Sequence, residues 1–219
     1  MATVRDAIAY AETTRHPLCV VSLDFKQAFD RISHTYLLIV LRNYGFGAGF
    51  TEFIRMMYGN AISVIQVNGH ISTPIPIQCG VRQGCPLSMK LFVLCLSPLL
   101  YYLDERLQGI RAHGTQWKTK VITYSDDVSI LVTSEKDVRT VRDAIACYEK
   151  AIGATLNVAK SSALTVGTWD TACDIMGIPY SEEIKILGVK NEEHREAVGA
   201  GKLGGIGVLG THTGQRSIQ

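Results

Sequence analysis

What this chain lacks narrows it first. It has no strong charge of either sign: 22 lysines and arginines stand against 20 acids, a formal net charge of +2 over 219 residues. A domain that attracts nucleic acid through a uniformly basic surface carries a clear excess of cations. Any nucleic-acid role here must therefore rest on local arrangement. The six cysteines (Cys19, Cys79, Cys85, Cys95, Cys147, Cys173) include no C-x-x-C pair and no metal-finger spacing. Three of them lie inside apolar runs, which suits reduced core thiols and an intracellular setting, cytoplasmic or nuclear. The first residues, Met1-Ala2-Thr3-Val4-Arg5-Asp6, lack the basic-then-apolar order of a secretion signal. The longest nearly unbroken apolar stretch, Leu91 to Leu103, is short for a bilayer and contains Ser97 and Pro98, so a buried helix and no membrane partner are expected. No internal repeat is visible.

What is present is a core. Apolar residues make up 47% of the chain, which argues against disorder and allows one domain of ordinary size. Helical spacing is expected over residues 3 to 12, then from a Ser33 cap through Tyr36, Leu37, Ile39, Val40 and Leu41, and again from Thr51 to about Tyr58. Alternating β-formers on either side of Asn68-Gly69 predict a hairpin from Ile62 to Ile75. A Gly/Pro/Cys loop, Cys79 to Pro86, precedes a long apolar helix from about Leu87 to Leu107. An amphipathic helix is expected from about Glu135 to Ile152, with Ser134 and Asp137 spaced as a capping box and Gly153 ending it. Strands at about Ala163 to Val166 and Ile184 to Val189 complete an α+β domain, an antiparallel-rich sheet packed by helices. From about residue 191 the chain becomes glycine-rich and is expected to be a flexible tail. Gly199, Gly201 and Gly204 match G-x-G-x-x-G formally, but no strand precedes them, and a nucleotide loop there is rejected.

Two acidic features stand out. Tyr124-Ser125-Asp126-Asp127 lies between two short β-prone runs, so both acids belong at the tip of a hairpin. An ordinary solvated turn also uses aspartate. Upstream, the run Leu18 to Leu23 ends on Asp24. Its unbroken apolar character reads as a strand buried on both faces, of the parallel type, with the acid at its carboxyl end. A turn or capping role is the ordinary alternative for Asp24 alone. Together the three carboxylates suggest an oxygen-donor site for a hard cation such as magnesium.

In order along the chain, Val21-Ser22-Leu23-Asp24-Phe25-Lys26-Gln27-Ala28-Phe29-Asp30, Gly80-Val81-Arg82-Gln83-Gly84-Cys85-Pro86-Leu87-Ser88 and Tyr124-Ser125-Asp126-Asp127 resemble the reverse transcriptase palm of non-LTR (LINE-type) retrotransposons. Weaker likeness continues through Leu156-Asn157-Val158-Ala159-Lys160-Ser161 and Ile186-Leu187-Gly188-Val189, covering roughly residues 1 to 190. The resemblance implies a palm-like antiparallel sheet, with fingers incomplete and the thumb absent. It implies RNA-directed DNA synthesis on an RNA template and DNA primer from deoxynucleoside triphosphates. Asp24, Asp126 and Asp127, with the Phe25 carbonyl, would hold two magnesium ions, for which manganese can substitute. Phe29 would be the sugar gate that excludes a 2′-hydroxyl, although a core aromatic is the simpler reading of that residue by itself. Gln83 and Gly84 would meet nucleotide and template, Arg82 phosphate or template, and Lys160 the triphosphate. Met89 departs from the family's usual proline, and Ser125 from its commoner apolar residue; neither touches an expected ligand. The resemblance also implies that the rest of a retroelement polyprotein is the missing partner; the alternative function is a catalytically inactive remnant with at most weak nucleic-acid binding. An RNA-templated RNA polymerase is a third reading, opposed by Phe29.

Overall fold

A computed structural model describes residues 2–111, 118–124, 127–186 and 189–192. Helix α1 (Ala2–Thr14) leads into β1 (Leu18–Leu23), a two-residue β2 (Phe25–Lys26) and the short α2 (Ala28–Arg31). Two helices follow, α3 (His34–Asn43) and α4 (Ala48–Gly59), and then four short strands, β3 (Ile62–Ser63), β4 (Gln66–Val67), β5 (His70–Ile71) and β6 (Ile75–Pro76). The long α5 (Pro86–Arg106) precedes β7 (Ile110–Arg111), β8 (Lys118–Thr119), β9 (Val121–Tyr124) and β10 (Asp127–Val132). Next come α6 (Glu135–Ile152), β11 (Thr155–Leu156), β12 (Ser162–Val166), β13 (Glu183–Ile186) and β14 (Val189–Glu192).

The organising element is a four-stranded sheet in the order β12-β1-β10-β9, antiparallel at every step. The continuous apolar run of β1 is thus explained by burial on both faces and not by parallel pairing, which corrects the expected strand type. Because side chains alternate, one strand feeds two cores. Cys19, Val21 and Leu23, with Val128, Ile130 and Val132 of β10, face the larger core built by α3, α5 and α6. Leu18, Val20 and Leu131 face the smaller one, where α1 contributes Val4, Ala7, Ile8 and Ala11. Each such valine, leucine or isoleucine, removed from water, contributes roughly 2 kcal/mol before entropy is counted.

Helix α6 runs over the expected residues. Its apolar stripe, Val138, Val141, Ala144, Ile145, Tyr148 and Ile152, is buried, and Gly153 adopts φ 84° as its stop. Only half of the expected capping box forms. The Ser134 Oγ accepts from the Asp137 backbone N–H at 3.2 Å, but the Asp137 carboxylate turns elsewhere. It accepts from the Thr133 N–H and Oγ1, both at 3.0 Å, and from the Gln108 N–H at 3.2 Å. A buried carboxylate goes to the site with most donors, and here those donors tie β10, α5 and α6 together.

Helix α5, 21 residues, is long and apolar enough to cross a membrane by length and composition. In this fold its Leu91, Phe92, Cys95, Leu96, Leu99 and Leu103 are buried in the larger core, as the sequence predicts. The Asn68-Gly69 turn has φ 50° and 81°, the paired positive values of a type I′ hairpin. The hairpin is interrupted, however. Pairing occurs only as β4–β5 and β3–β6, with Pro74 between β5 and β6. The strand expected from Ile184 to Val189 is instead two strands, β13 and β14, paired antiparallel. Helix α4 starts three residues before the expected Thr51, on a Gly47 cap. The glycine-rich segment expected to be a tail lies outside the described residues.

Candidate active site

The two acids that the structure describes share one end of the sheet. Leu23, the last residue of β1, pairs with Val128, the second residue of β10. One step further along both strands are Asp24 and Asp127. Asp127 pairs on its other side with Tyr124 across the acidic hairpin. Asp126 lies outside the described residues.

Asp24 is clamped by a turn 133 residues away in the chain. The Asn157 Nδ2 donates to its Oδ2 at 2.9 Å, and the Asn157 backbone N–H donates to its carbonyl at 2.7 Å. The Asp24 N–H donates to Ser161 Oγ at 3.1 Å, and that hydroxyl donates to the Asn157 carbonyl at 2.9 Å. The turn closes itself, since the N–H groups of Lys160 and Ser161 both reach the Asn157 carbonyl. Among the described residues, no group hydrogen-bonds the Asp24 Oδ1, which leaves one hard oxygen of a half-buried, oriented carboxylate open. The sequence shows Asn157 and Ser161 inside a recognisable string, but nothing local says that they hold Asp24.

Phe25 puts its ring into the core, 5.5 Å from Tyr148 in an edge contact, so only its backbone is available to a ligand. Phe29 stacks on Phe92 with ring centroids 4.5 Å apart. The core reading of Phe29 is thus realised on one face of the ring, and the same contact fixes where the ring stands.

The loop before α5 is tied to α2. The Gly80 N–H donates to the Ile32 carbonyl and the Val81 N–H to the Phe29 carbonyl, both at 2.8 Å. Gly80 has φ +90°, and a Cβ there would sit 2.7 Å from the Asp30 carbonyl oxygen, so glycine is required twice over. Gln83 donates from Nε2 to Asp30 Oδ1 at 3.1 Å, and Arg82 donates to the Met57 carbonyl at 3.4 Å. Gly84 needs its freedom for φ +81°, and the space where a Cβ would stand is open. Asp30 is a further residue that the sequence alone does not single out. At the cap of α5 the Leu87 N–H draws the Cys85 thiol below its ordinary value.

Lys160 lies apart from that loop, on a cleft of about 400 Å³ shared with Lys26, Gln27, Arg31, Gly153, Thr155 and Asn157. Asn157 therefore has one side on the cleft and its amide on Asp24. The structure thus gathers Asp24 and Asp127 at one sheet end, Phe29 and Gln83 around α2, and Lys160 behind the Asn157 turn.

A helix-backed antiparallel sheet with acids at one end of its two central strands is the architecture of a polymerase palm. The reverse transcriptase (RNA-dependent DNA polymerase) family profile matches residues 2–191, and the chain belongs to that family. It is 34% identical over 165 residues to the transposon TX1 uncharacterized 149 kDa protein of Xenopus laevis, a match over 75% of this chain and 13% of that protein. It is 32% identical over 149 residues to the Pol polyprotein of the type-1 retrotransposable element R2 of Popillia japonica, over 68% of this chain and 24% of that protein. These relatives are proteins of non-LTR retrotransposons, and the chain spans less than a quarter of each. Among solved structures, telomerase from Candida tropicalis in complex with a fragment of telomeric RNA superposes with a TM-score of 0.61 at 14% identity, over 87% of this chain and 30% of that one. Apo telomerase of the same organism, truncated from its C-terminal domain, gives 0.58 at 17% identity, over 87% of this chain and 36% of that one. At such identity the likeness is one of fold.

Proposed function

We propose that the chain is the catalytic palm of an RNA-directed DNA polymerase of a LINE-type retroelement, extending a DNA primer on an RNA template with deoxynucleoside triphosphates. The observation that carries this reading is that Asp24, one residue past β1, and Asp127, the first residue of β10, stand at one end of the paired central strands, with Asp24 oriented by Asn157. The donor set is all oxygen, two carboxylates at the end of adjoining strands with Asp126 next to Asp127 in sequence, and this suits magnesium. Asp24, Asp126 and Asp127, with the Phe25 carbonyl, would hold two such ions, and manganese would substitute. When bound, the ions supply charge neutralisation for the attacking and leaving oxygens.

In the reaction, the primer 3′-oxygen forms a bond to the α-phosphorus as the bond from that phosphorus to the β-phosphate oxygen breaks. Diphosphate leaves and the hydroxyl proton passes to water. The protein's part is positioning, which is most of what phosphoryl transfer needs. The Asn157 turn holds Asp24 in one rotamer, so little reorganisation is left for the reaction. The Phe29 ring, braced by Phe92, would stand beneath the sugar, where a 2′-hydroxyl would meet it. Gln83, tethered to Asp30, would address the nucleotide, with Gly84 leaving room for a base pair and Arg82 near template phosphate. An RNA partner is in keeping with the RNA bound by the telomerase structure. The six unpaired thiols support an intracellular place of work. The rest of a retroelement polyprotein would supply further contacts to template and primer.

The test is primer extension on an RNA template with magnesium. Incorporation by this chain that disappears in Asp126→Ala and Asp24→Asn is the expected result. Equal signals from all three proteins would overturn the assignment, and no extension by any would leave a folded remnant as the better description.

A further inference from the structure

The loop before α5 reaches outward with Gln83 and Gly84, yet its Val81 is only 4% exposed. A loop that dips into a core must satisfy its own backbone groups there. The N–H groups of Gly80 and Val81 go to the carbonyls of Ile32 and Phe29, at the cap and on the first turn of α2. The carbonyls on either side of Val81 are taken by side chains from two other helices. His34, the first residue of α3, has its Nε2 at 2.9 Å from the Gly80 carbonyl oxygen. A carbonyl only accepts, so the ring carries a proton on Nε2 and donates it. Ser88, on the first turn of α5, donates from Oγ to the Arg82 carbonyl at 2.6 Å. Tyr58, buried at the end of α4, lies between the two donors. Its ring centroid is 5.3 Å from that of His34, and its hydroxyl is 3.5 Å from Ser88 Oγ. With the Ser88 proton engaged on Arg82, Tyr58 is the donor in that longer contact.

We propose that His34 and Ser88, joined through Tyr58, are positioning residues that aim Gln83 and Gly84. What Gln83 meets rests on the nucleotidyl-transfer reading above; the brace itself follows from the hydrogen bonds. Gln83 is the residue after the Arg82 carbonyl, and its side chain is tethered by an exposed 3.1 Å bond to Asp30. One such bond contributes about 1 kcal/mol, which is comparable to the entropy of the side chain it orders. The backbone must therefore supply the rest of the order. With the Gly80 and Arg82 carbonyls both pinned, the chain between them cannot rotate without leaving an inward-facing acceptor unpaired. The brace fixes where the Gln83 side chain starts, and Asp30 sets where it ends. Ordering of this kind lowers the cost of meeting a nucleotide, so its loss falls on affinity and not on the chemical step.

The test is nuclear magnetic resonance of the 15N-labelled full chain, following the Gly80 and Val81 amides and the Gln83 side-chain amide, beside primer extension. His34→Phe keeps a ring against Tyr58 and removes the donor, whereas His34→Gln puts an amide nitrogen near the Nε2 position. In His34→Phe, with the signals of β1 and β10 unchanged, Gly80 and Val81 should exchange about tenfold faster. The Gln83 amide signal should move toward that of a free amide, and His34→Gln should restore both. Ser88→Ala should act like His34→Phe, and Tyr58→Phe less, because its contact is longer. Ser97→Ala removes a hydroxyl of the same helix that donates to the Val93 carbonyl at 2.7 Å, and it should change neither signal. Equal effects of His34→Phe and His34→Gln, or an unmoved Gln83 signal in both His34→Phe and Ser88→Ala, would overturn the brace. In primer extension, His34→Phe should raise the KM for nucleotide about tenfold and leave kcat within about twofold. An unchanged KM would overturn the link to the nucleotide. A wild-type chain that extends nothing would refute the polymerase reading, and the amide signals would still decide the brace.

Discussion

The central strands and the ribbon from Ile62 to Pro76 are built from the same kind of residue and end in opposite states. Val20, Val21, Ile130 and Leu131 are sealed from water, whereas Ile62 and Ile71 keep 62% and 67% of their surface exposed. Both segments are rich in β-branched side chains, so both form strands. The difference lies in what covers them. Helices pack on both faces of β1 and β10, but among the described residues nothing covers the ribbon, and from residue 61 to 81 the chain carries no Asp, Glu, Lys or Arg. A β-prone composition thus specifies strand formation but not burial. The consequence for the site is a division of labour. Asp24 and Asp127 stand at the end of the over-determined strands, while Arg82, Gln83 and Gly84, at the foot of the ribbon, are held by a few hydrogen bonds to α2 and α4.

The sharpest way to break this contrast is to truncate an isoleucine in each region. Ile130→Ala in β10 should cost about 3 kcal/mol in urea unfolding, and Ile71→Ser in the ribbon less than about 0.5 kcal/mol. Comparable losses would mean that the ribbon is covered in solution. At the far end of β10, Asp137→Ala leaves three donors without their acceptor and should lower stability by roughly 2 kcal/mol, read as the shift in thermal midpoint.

Much of this was readable beforehand, for identifiable reasons. The bounds of α6, the Asn68-Gly69 turn and the Ser33 cap are local signals, and each came out as expected because propensity and packing agree there. The convergence of Asp24 with the acidic hairpin was implied by the family resemblance; the strand register puts Asp24 and Asp127 one step beyond the Leu23–Val128 pair. The hidden parts are long-range. A bond from Asn157 to Asp24 crosses 133 residues, and one from Gln83 to Asp30 crosses 53, so no periodicity reveals either. Strand direction was misread because two-sided burial produces the same apolar run in parallel and antiparallel strands. The lost arm of the capping box reflects competition, since the Asp137 carboxylate had better donors within reach.

At the foot of the ribbon, Gly80→Ala forces a Cβ against the Asp30 carbonyl and an unfavourable φ. It should cost roughly 1–2 kcal/mol, with a rise in the KM for nucleotide as Gln83 shifts. A smaller effect is expected at the turn that orients Asp24. Asn157→Ala should lower primer extension about tenfold with the fold intact, and Asn157→Ser should do nearly the same, since a hydroxyl is too short to span the distance. Smallest in free energy is a labelling contrast at pH 8. Burial pushes the Cys95 thiol up to about 12 and Cys19 higher still, so neither holds thiolate, and both should label only on unfolding. Cys79, at the ribbon's foot, and Cys147 are exposed and should react in the native state.

The central claim, that Asp24 and the acidic hairpin form one cation centre on the buried strands, is tested most directly by manganese titration monitored by electron paramagnetic resonance. The wild-type chain should bind the ion, and Asp24→Asn and Asp127→Asn should each abolish most of that binding, with the double variant losing little more than either alone. Independent, additive losses, or manganese binding that is untouched by Asp24→Asn, would contradict the account.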